Sequence, residues 1–255
     1  MMNVRPKKSL GQHFLRDHNI ARKIIAAIPE KPSLIVEIGP GTGILTKYIL
    51  DLDGMQSLFI ETDKESVDYL KHKFPAITDK IIHDDFLKTD LKGIIHSPYQ
   101  IVGNLPYNIS SQIFFRMLED RGRMQSAVVM IQKEVADRIS SGPGNKVYGI
   151  LSVLLQTWFD IAYLFTVSPG VFHPPPKVKS AVIRLLRNDT IDIGCDPVFY
   201  FKVVKAGFNQ RRKTLRNALK PLLAGKDVGE IEDLLSKRAE QLTVEEFVYL
   251  SKQLV

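Results

Sequence analysis

Leu34-Ile-Val-Glu37-Ile38-Gly39-Pro-Gly41-Thr-Gly43 reads as a buried strand that stops in a glycine-rich turn, and Ile44, Leu45, Tyr48 and Ile49 mark an amphipathic helix directly after it. Glycines at a strand-to-helix turn let a ligand come close to the backbone. The spacing is G-x-G-x-G rather than the dinucleotide G-x-G-x-x-G, which disfavours a nicotinamide cofactor. Ser57-Leu-Phe-Ile60 forms a second strand ending in Glu61, where a ribose-binding carboxylate falls after such a loop. Ile81-Ile82 leads into His83-Asp84-Asp85-Phe86, whose carboxylates could accept from an adenine amino group or simply close an Asx turn. No further histidine, cysteine or carboxylate cluster at ligand spacing supports a metal there. A fourth strand, Tyr99 to Val102, runs into Gly103-Asn104. Strand ends that are polar or glycine-rich, with helical segments between them, predict an open parallel α/β sheet whose site lies at the carboxyl edges of the strands.

Asn104-Leu105-Pro106-Tyr107 presents an amide, a prolyl peptide and a phenol within four residues. Such a set suits a flat base bearing an amino group. Asn104 Oδ1 and the Leu105 carbonyl, which Pro106 keeps out of regular structure, can accept both N–H groups while Tyr107 stacks on the ring. The plainer alternative is a proline turn with a half-buried aromatic. Asn108-Ile-Ser110 matches a glycosylation sequon by chance.

The remainder of the chain alternates in the same manner. A helix over Ser110 to Glu119, a strand over Gln125 to Gln132, a helix from Lys133 to Ile139, a mobile loop over Ser140 to Val147, a buried helix over Gly149 to Phe159 and a strand over Tyr163 to Val167 follow in order. Ser168 to Lys177 is proline-stiffened and holds Phe172, either as a core anchor or as a base-stacking ring. Lys179 to Leu186 closes the sheet. The pattern lapses over Arg187 to Pro197, which sets domains at 1–187 and 188–255, the second helical by periodicity and ending in a capping box, Thr243-Val-Glu-Glu246. Ahead of the sheet, Asp17 caps a helix with Ile20, Ile24 and Ile28 on one face. The arm before it carries Arg5, Lys7, Lys8 and Arg16 around Gly-Gln-His13-Phe-Leu15, and its composition favours a solvated tail.

The chain has 255 residues, enough for one large domain or one medium domain plus one small. Its net charge of +7 points toward a polyanion. The densest cationic run, Lys202 to Lys220, holds Arg211, Arg212, Lys213 and Arg216 without one acidic residue, a pattern that favours phosphate contact. A single cysteine, Cys195, excludes a disulfide framework and suits a reducing cytoplasm. The basic residues 1–8 lead into no apolar stretch, so no signal peptide is expected, and no run approaches the roughly 20 residues that span a bilayer. With no heptad or long apolar patch, a monomer is expected.

Taken together and in order, Gly-Gln-His-Phe-Leu15, Val36-Glu-Ile-Gly-Pro-Gly-Thr-Gly43, Ile60-Glu61, Asp85, Gly103-Asn-Leu-Pro-Tyr107-Asn-Ile-Ser110, Val171-Phe-His-Pro-Pro-Pro-Lys-Val178 and Phe208-Asn-Gln-Arg-Arg-Lys-Thr214 resemble the rRNA adenine N6-methyltransferase family, in particular its members that act on bacterial 16S rRNA. The resemblance implies a Rossmann-like class I S-adenosylmethionine-dependent methyltransferase sheet, a small all-helical C-terminal domain contacting RNA or ribosome, and S-adenosyl-L-methionine as methyl donor. It implies a donor site lined by His13, Leu15, Gly39, Gly41, Glu61, Asp85 and Asn104. Glu61 would hold the ribose hydroxyls and Asp85 the adenine amino group. The target base would fall to Asn104, Leu105, Pro106 and Tyr107, with Phe172 stacking on it. RNA contacts are expected at Lys7, Lys8, Arg211, Arg212, Lys213 and Arg216. Many family members carry Asn where this chain has His13. The implied reaction is N6,N6-dimethylation of two adjacent adenosines near the 3′ end of 16S rRNA within an assembling small ribosomal subunit. The alternatives are a large-subunit methyltransferase of the macrolide-resistance type and a mainly non-catalytic assembly factor.

Overall fold

The computed structural model describes residues 4–29 and 34–255; residues 1–3, which belong to the basic stretch read for a signal peptide, and 30–33 lie outside it. Nine strands are assigned among the described residues: β1 (Phe14–Leu15), β2 (Leu34–Ile38), β3 (Gln56–Glu61), β4 (Ile81–His83), β5 (Tyr99–Asn104), β6 (Met124–Gln132), β7 (Phe159–Val167), β8 (Phe172–His173) and β9 (Ser180–Arg187). The helices in chain order are α1 (His18–Ala26), α2 (Ile44–Leu50), α3 (Lys64–Lys73), α4 (Leu91–Ile94), α5 (Ser110–Glu119), α6 (Lys133–Ile139), α7 (Ile150–Trp158), α8 (Pro197–Asn209), α9 (Leu215–Ala218), α10 (Lys220–Leu223), α11 (Glu232–Ser236) and α12 (Val244–Gln253).

The main sheet has the order β4-β3-β2-β5-β6-β9-β7. β4, β3, β2, β5 and β6 pair in parallel, and β9 runs antiparallel to β6. Apolar residues that run without alternation through β2 and β5 are buried almost throughout, as strands covered on both faces require. The strand order reverses between β2 and β5. Their carboxyl ends therefore diverge into loops that open a crevice, the usual ligand position in such sheets. Gly103 is fixed by this geometry: a Cβ there would lie 2.8 Å from the Ile38 carbonyl oxygen.

Asp17 caps α1 as its position predicts, accepting from the Asn19 and Ile20 N–H groups at 2.7 and 3.1 Å. The arm ahead of it is folded, contrary to the solvated tail that its composition favours. Phe14 and Leu15 pair antiparallel with His173 and Phe172, Arg16 N–H donates to the Val171 carbonyl at 2.8 Å, and Val4 is buried. Two buriable side chains and a returning strand give the arm what a tail lacks.

The chain divides into two compact units. The first runs to Ala136 and resumes over Ala162–Arg187; the second combines Asp137–Ile161 with Asn188–Val255. The second unit thus takes 137–161, which the sequence places in the first domain, together with 188–255. The aromatic side chains of 137–161 supply the reason, since they complete the helical core: Tyr148 meets Phe208 edge-on at 6.0 Å, Phe208 stacks on Phe247, and Trp158 packs on Tyr200. The basic segment expected as continuous helix is also interrupted. α8 ends at Asn209, and the turn that follows lets α9 fold back so closely that a Cβ on Gly207 would lie 2.9 Å from Leu215. Thr243 and Glu246 form the capping box of α12.

Candidate functional site

The crevice at the carboxyl ends of β2, β3, β4 and β5 is a cleft of about 700 Å³ including its open mouth. Its walls combine the arm (Leu10, Gly11, Gln12, His13, Phe14), the glycine turn (Gly39, Gly41), Glu61, Asp85, Phe86 and the Asn104-Leu105-Pro106-Tyr107 loop. A smaller recess of about 280 Å³ shares Phe14, Gly39 and Asn104 and adds Leu15 and Glu37. Every candidate donor residue named from the sequence thus lies on one of these two connected walls.

The glycine turn adopts left-handed backbone at Gly39, Gly41 and Gly43. At Gly39 a Cβ would meet nothing within 4 Å, so the backbone faces open space, whereas at Gly41 it would press on the Phe14 ring at 2.9 Å. Glu61 is buried at the end of β3. One carboxylate oxygen accepts from Gly41 N–H and the other from Asp63 N–H, both at 2.9 Å. Burial pushes its carboxyl up, opposed by these backbone donors. Glu37, which the sequence reading passed over as an ordinary strand residue, is buried more deeply and raised by that burial to about 8. It accepts from Thr46 Oγ1 at 2.6 Å. Burial thus favours its neutral form, which adds no charge beside Glu61. Asp85 forms the Asx turn, its Oδ1 accepting from Leu87 N–H at 3.0 Å, and lines the cleft as well. The Asx turn is thus formed, with the carboxylate still on the cleft wall. Among the described residues there is no cluster able to hold a metal.

The amide loop is pinned at each chemically useful group. Asn104 Nδ2 donates to the His13 carbonyl at 2.8 Å, which leaves Oδ1 as the free end of the amide. Leu105 N–H donates to the Met130 carbonyl at 3.0 Å. The Tyr107 hydroxyl meets Ser180 Oγ at 2.5 Å, and burial pushes its phenol pKa up. His13 stacks on Tyr107 with ring centroids 5.4 Å apart, and its Nδ1 lies 2.7 Å from the Pro174 carbonyl. A carbonyl only accepts, so Nδ1 carries the proton. Gly11 closes the arm onto the loop: it is left-handed, and a Cβ would sit 2.6 Å from Asn108 Oδ1.

Phe172 is placed otherwise than a stacking role requires. It is 4% exposed, pairs in register with Leu15 and packs in the main core, so the ring anchors the arm and does not face the cleft. Among the cations expected on RNA, Lys7 pairs with buried Asp63 and lies 3.7 Å from Glu65, Arg211 pairs with Glu240 at 2.6 Å, and Arg216 pairs with Glu232. Lys8, Arg212 and Lys213 are exposed. Ser180, Asp63 and the Pro174 carbonyl escaped the sequence reading because only the return of distant segments brings them to the site. Gln12 was within reach of it: its Oε1 accepts from Lys7 N–H at 2.8 Å, inside the arm already noted as rich in hydrogen-bonding groups.

The ribosomal RNA adenine dimethylase pattern matches residues 3–254. The small subunit rRNA methyltransferase A of Bacteroides thetaiotaomicron is 54% identical over 256 aligned positions, covering 99% of this chain and 95% of the relative. Among solved structures, a dimethyladenosine transferase from Plasmodium falciparum aligns with a TM-score of 0.78 at 24% identity, covering 93% of this chain and 96% of that one, a likeness of fold. The 23S rRNA methyltransferase ErmE aligns with a TM-score of 0.70 at 25% identity, covering 94% and 99%. With a match over almost its whole length and a relative more than half identical, the chain belongs to the ribosomal RNA adenine dimethylase family.

Proposed function

We propose that this protein is an S-adenosylmethionine-dependent enzyme that dimethylates N6 of two adjacent adenosines near the 3′ end of small-subunit rRNA. The observation that carries the reading is the Asn104 amide, held through Nδ2 by the His13 carbonyl so that Oδ1 is left to accept from an amino group. The cleft suits the donor. Gly39 offers backbone with open space beside it, Glu61 and Asp85 offer acceptors for ribose hydroxyls and an adenine amine, and Ile38, Ile60, Phe86 and Ile113 supply apolar lining. His13, Leu15 and Gly41 complete that wall. When bound, S-adenosylmethionine supplies a methyl group carried on a positively charged sulfur.

The residues of the amide loop then act on the target. Asn104 Oδ1 and the Leu105 carbonyl accept the two N–H groups of the adenine amine and turn its lone pair out of conjugation. Pro106 holds that carbonyl clear of regular structure, and Tyr107 stacks on the base with the face that His13 leaves uncovered. Alignment is the main catalytic contribution, and the amine proton leaves to water after transfer. Lys8, Arg212 and Lys213 are the cations best placed by exposure to meet phosphate, and the reading takes the enzyme as a cytoplasmic monomer on an assembling small subunit.

The test is methyl transfer from labelled donor to small subunits prepared from cells lacking the modification, with sites mapped and methyls counted. Two neighbouring dimethylated adenosines are expected, and label confined to large-subunit rRNA would overturn the substrate assignment. Asn104→Ala should lower turnover by about 10²- to 10³-fold, on the scale of losing one oriented polar group in an active site, while donor affinity falls less. An unchanged rate would remove Asn104 from the mechanism.

A further inference from the structure

The first unit carries a second cationic face that the linear run of charges does not reveal. α1 and α2 pack side by side, and the Arg22 guanidinium on α1 and the Lys47 ammonium on α2 converge on one ring, lying 5.8 and 5.6 Å from the centroid of Tyr48. His18 meets the same ring edge-on at 5.9 Å, with Nδ1 3.0 Å from the hydroxyl. Lys23 lies 5.8 Å from the centroid of Phe165, and Arg16 is exposed just ahead of α1. Among the described residues, Arg16, Arg22, Lys23 and Lys47 make no ion pair; Arg22 donates only to Asn19 Oδ1, at 2.6 Å. Of the nearby acids, Asp17 is engaged in capping α1, and Asp51, four residues after Lys47 at the end of α2, makes no ion pair with Lys47 among the described residues.

The half-buried Tyr48 ring draws one cation weakly, and two cations on the same ring repel each other, so among the described residues the cluster has no paired counter-charge. A polyanion with flat bases supplies it: phosphates neutralise the guanidinium and ammonium groups, and an unpaired base has the exposed His18 ring to stack on. Both elements also start at the catalytic cleft. Arg16 follows Leu15, and α2 follows the glycine turn, with Thr42, Ile44 and Leu45 lining the recess that Asn104 shares. We infer that the α1–α2 face binds the backbone of the RNA strand flanking the target adenosine, an interaction that rests on the methyltransferase reading and extends it beyond the cleft and the C-terminal cations.

The experiment compares wild type with Arg22→Ala/Lys47→Ala, measuring donor affinity, KM for undermethylated small subunits, and the salt dependence of filter binding to small-subunit rRNA. Expected are a KM about tenfold higher, turnover within about twofold, unchanged donor affinity and a salt slope flatter by about 1.5, the loss of two phosphate contacts. An unchanged KM and slope would overturn the inference, and so would competition by anionic phospholipid vesicles as effective as that by rRNA. If the double substitution disturbs the helix pair, Lys47→Gln at an exposed position should show about half the slope change; no change there would equally overturn it. Failure of the wild type itself to bind donor or transfer methyl would count against the enzymatic reading, whereas filter binding reads the face without catalysis.

Discussion

The arm ahead of α1 and the turn between α8 and α9 both carry lysine or arginine on irregular backbone, and the fold uses them in opposite ways. Lys7 is turned inward onto Asp63, whose own N–H donates to Glu61, so one cation fastens the arm beside the carboxylate at the cleft. In the turn, Arg211 is paired with Glu240, while Arg212 and Lys213 stay exposed. A cation that closes a site within the protein and one that waits for a phosphate look alike in sequence. What separates them is whether a distant carboxylate is brought back to meet them.

The sharpest way to break this contrast is at the arm itself. Gly11→Val places a branched side chain on left-handed backbone, strain that moving the Asn108 side chain aside does not relieve and that pulls the arm from its seat. It should lower kcat/KM by about 100-fold, measured by labelled methyl transfer, and expose the arm to limited proteolysis; full activity would show that the arm does not need this seat. Next in size, Lys7→Met should raise the donor KM about tenfold while leaving RNA affinity and its salt slope unchanged, and the opposite pattern would return Lys7 to the RNA. Burial acts to raise the Asp63 carboxyl, but the hydrogen bonds from Lys7 and Ser66 outweigh it and hold it below its ordinary value of 3.8. The folded value being the lower one, the strap's contribution is complete above the ordinary value and is lost as pH falls through the lowered one. Donor KM should therefore gain no dependence on this pair between pH 6 and 8. The smallest effect is expected from Arg212→Ala/Lys213→Ala: a few-fold rise in rRNA KM, a flatter salt slope by about 1.5, and unchanged donor affinity. A change in donor affinity instead would erase the distinction.

The sheet was readable because its signals are local. Each parallel strand is a short apolar run stopped by a polar or glycine residue, and Glu61, Asp85 and Asn104 could be placed at the cleft from those stops alone. The glycine turn was legible for the same reason. What could not be read depends on chain return. Nothing in Phe172 distinguishes a ring facing a base from one packed on Leu15, and the second depends on β8 coming back to β1. Similarly, residues 137–161 have the periodicity of the first domain's helices, and only the packing of Tyr148 and Trp158 against α8 aromatics assigns them elsewhere. Glu37 was missed because a carboxylic acid inside an apolar strand carries no sequence mark of being neutral.

The acceptor that holds Asn104 Nδ2 is a peptide oxygen, and every amino acid has one. Position 13 can therefore exchange its side chain without removing the group that aims the amide; only a change in the path of the chain would. A change of the His13 side chain alters what is held toward Tyr107 and Pro174 but leaves the aim untouched. The aim of the Asn104 amide is thus set by backbone trace rather than by the identity of residue 13, and a residue-by-residue comparison of sequences would overlook its source.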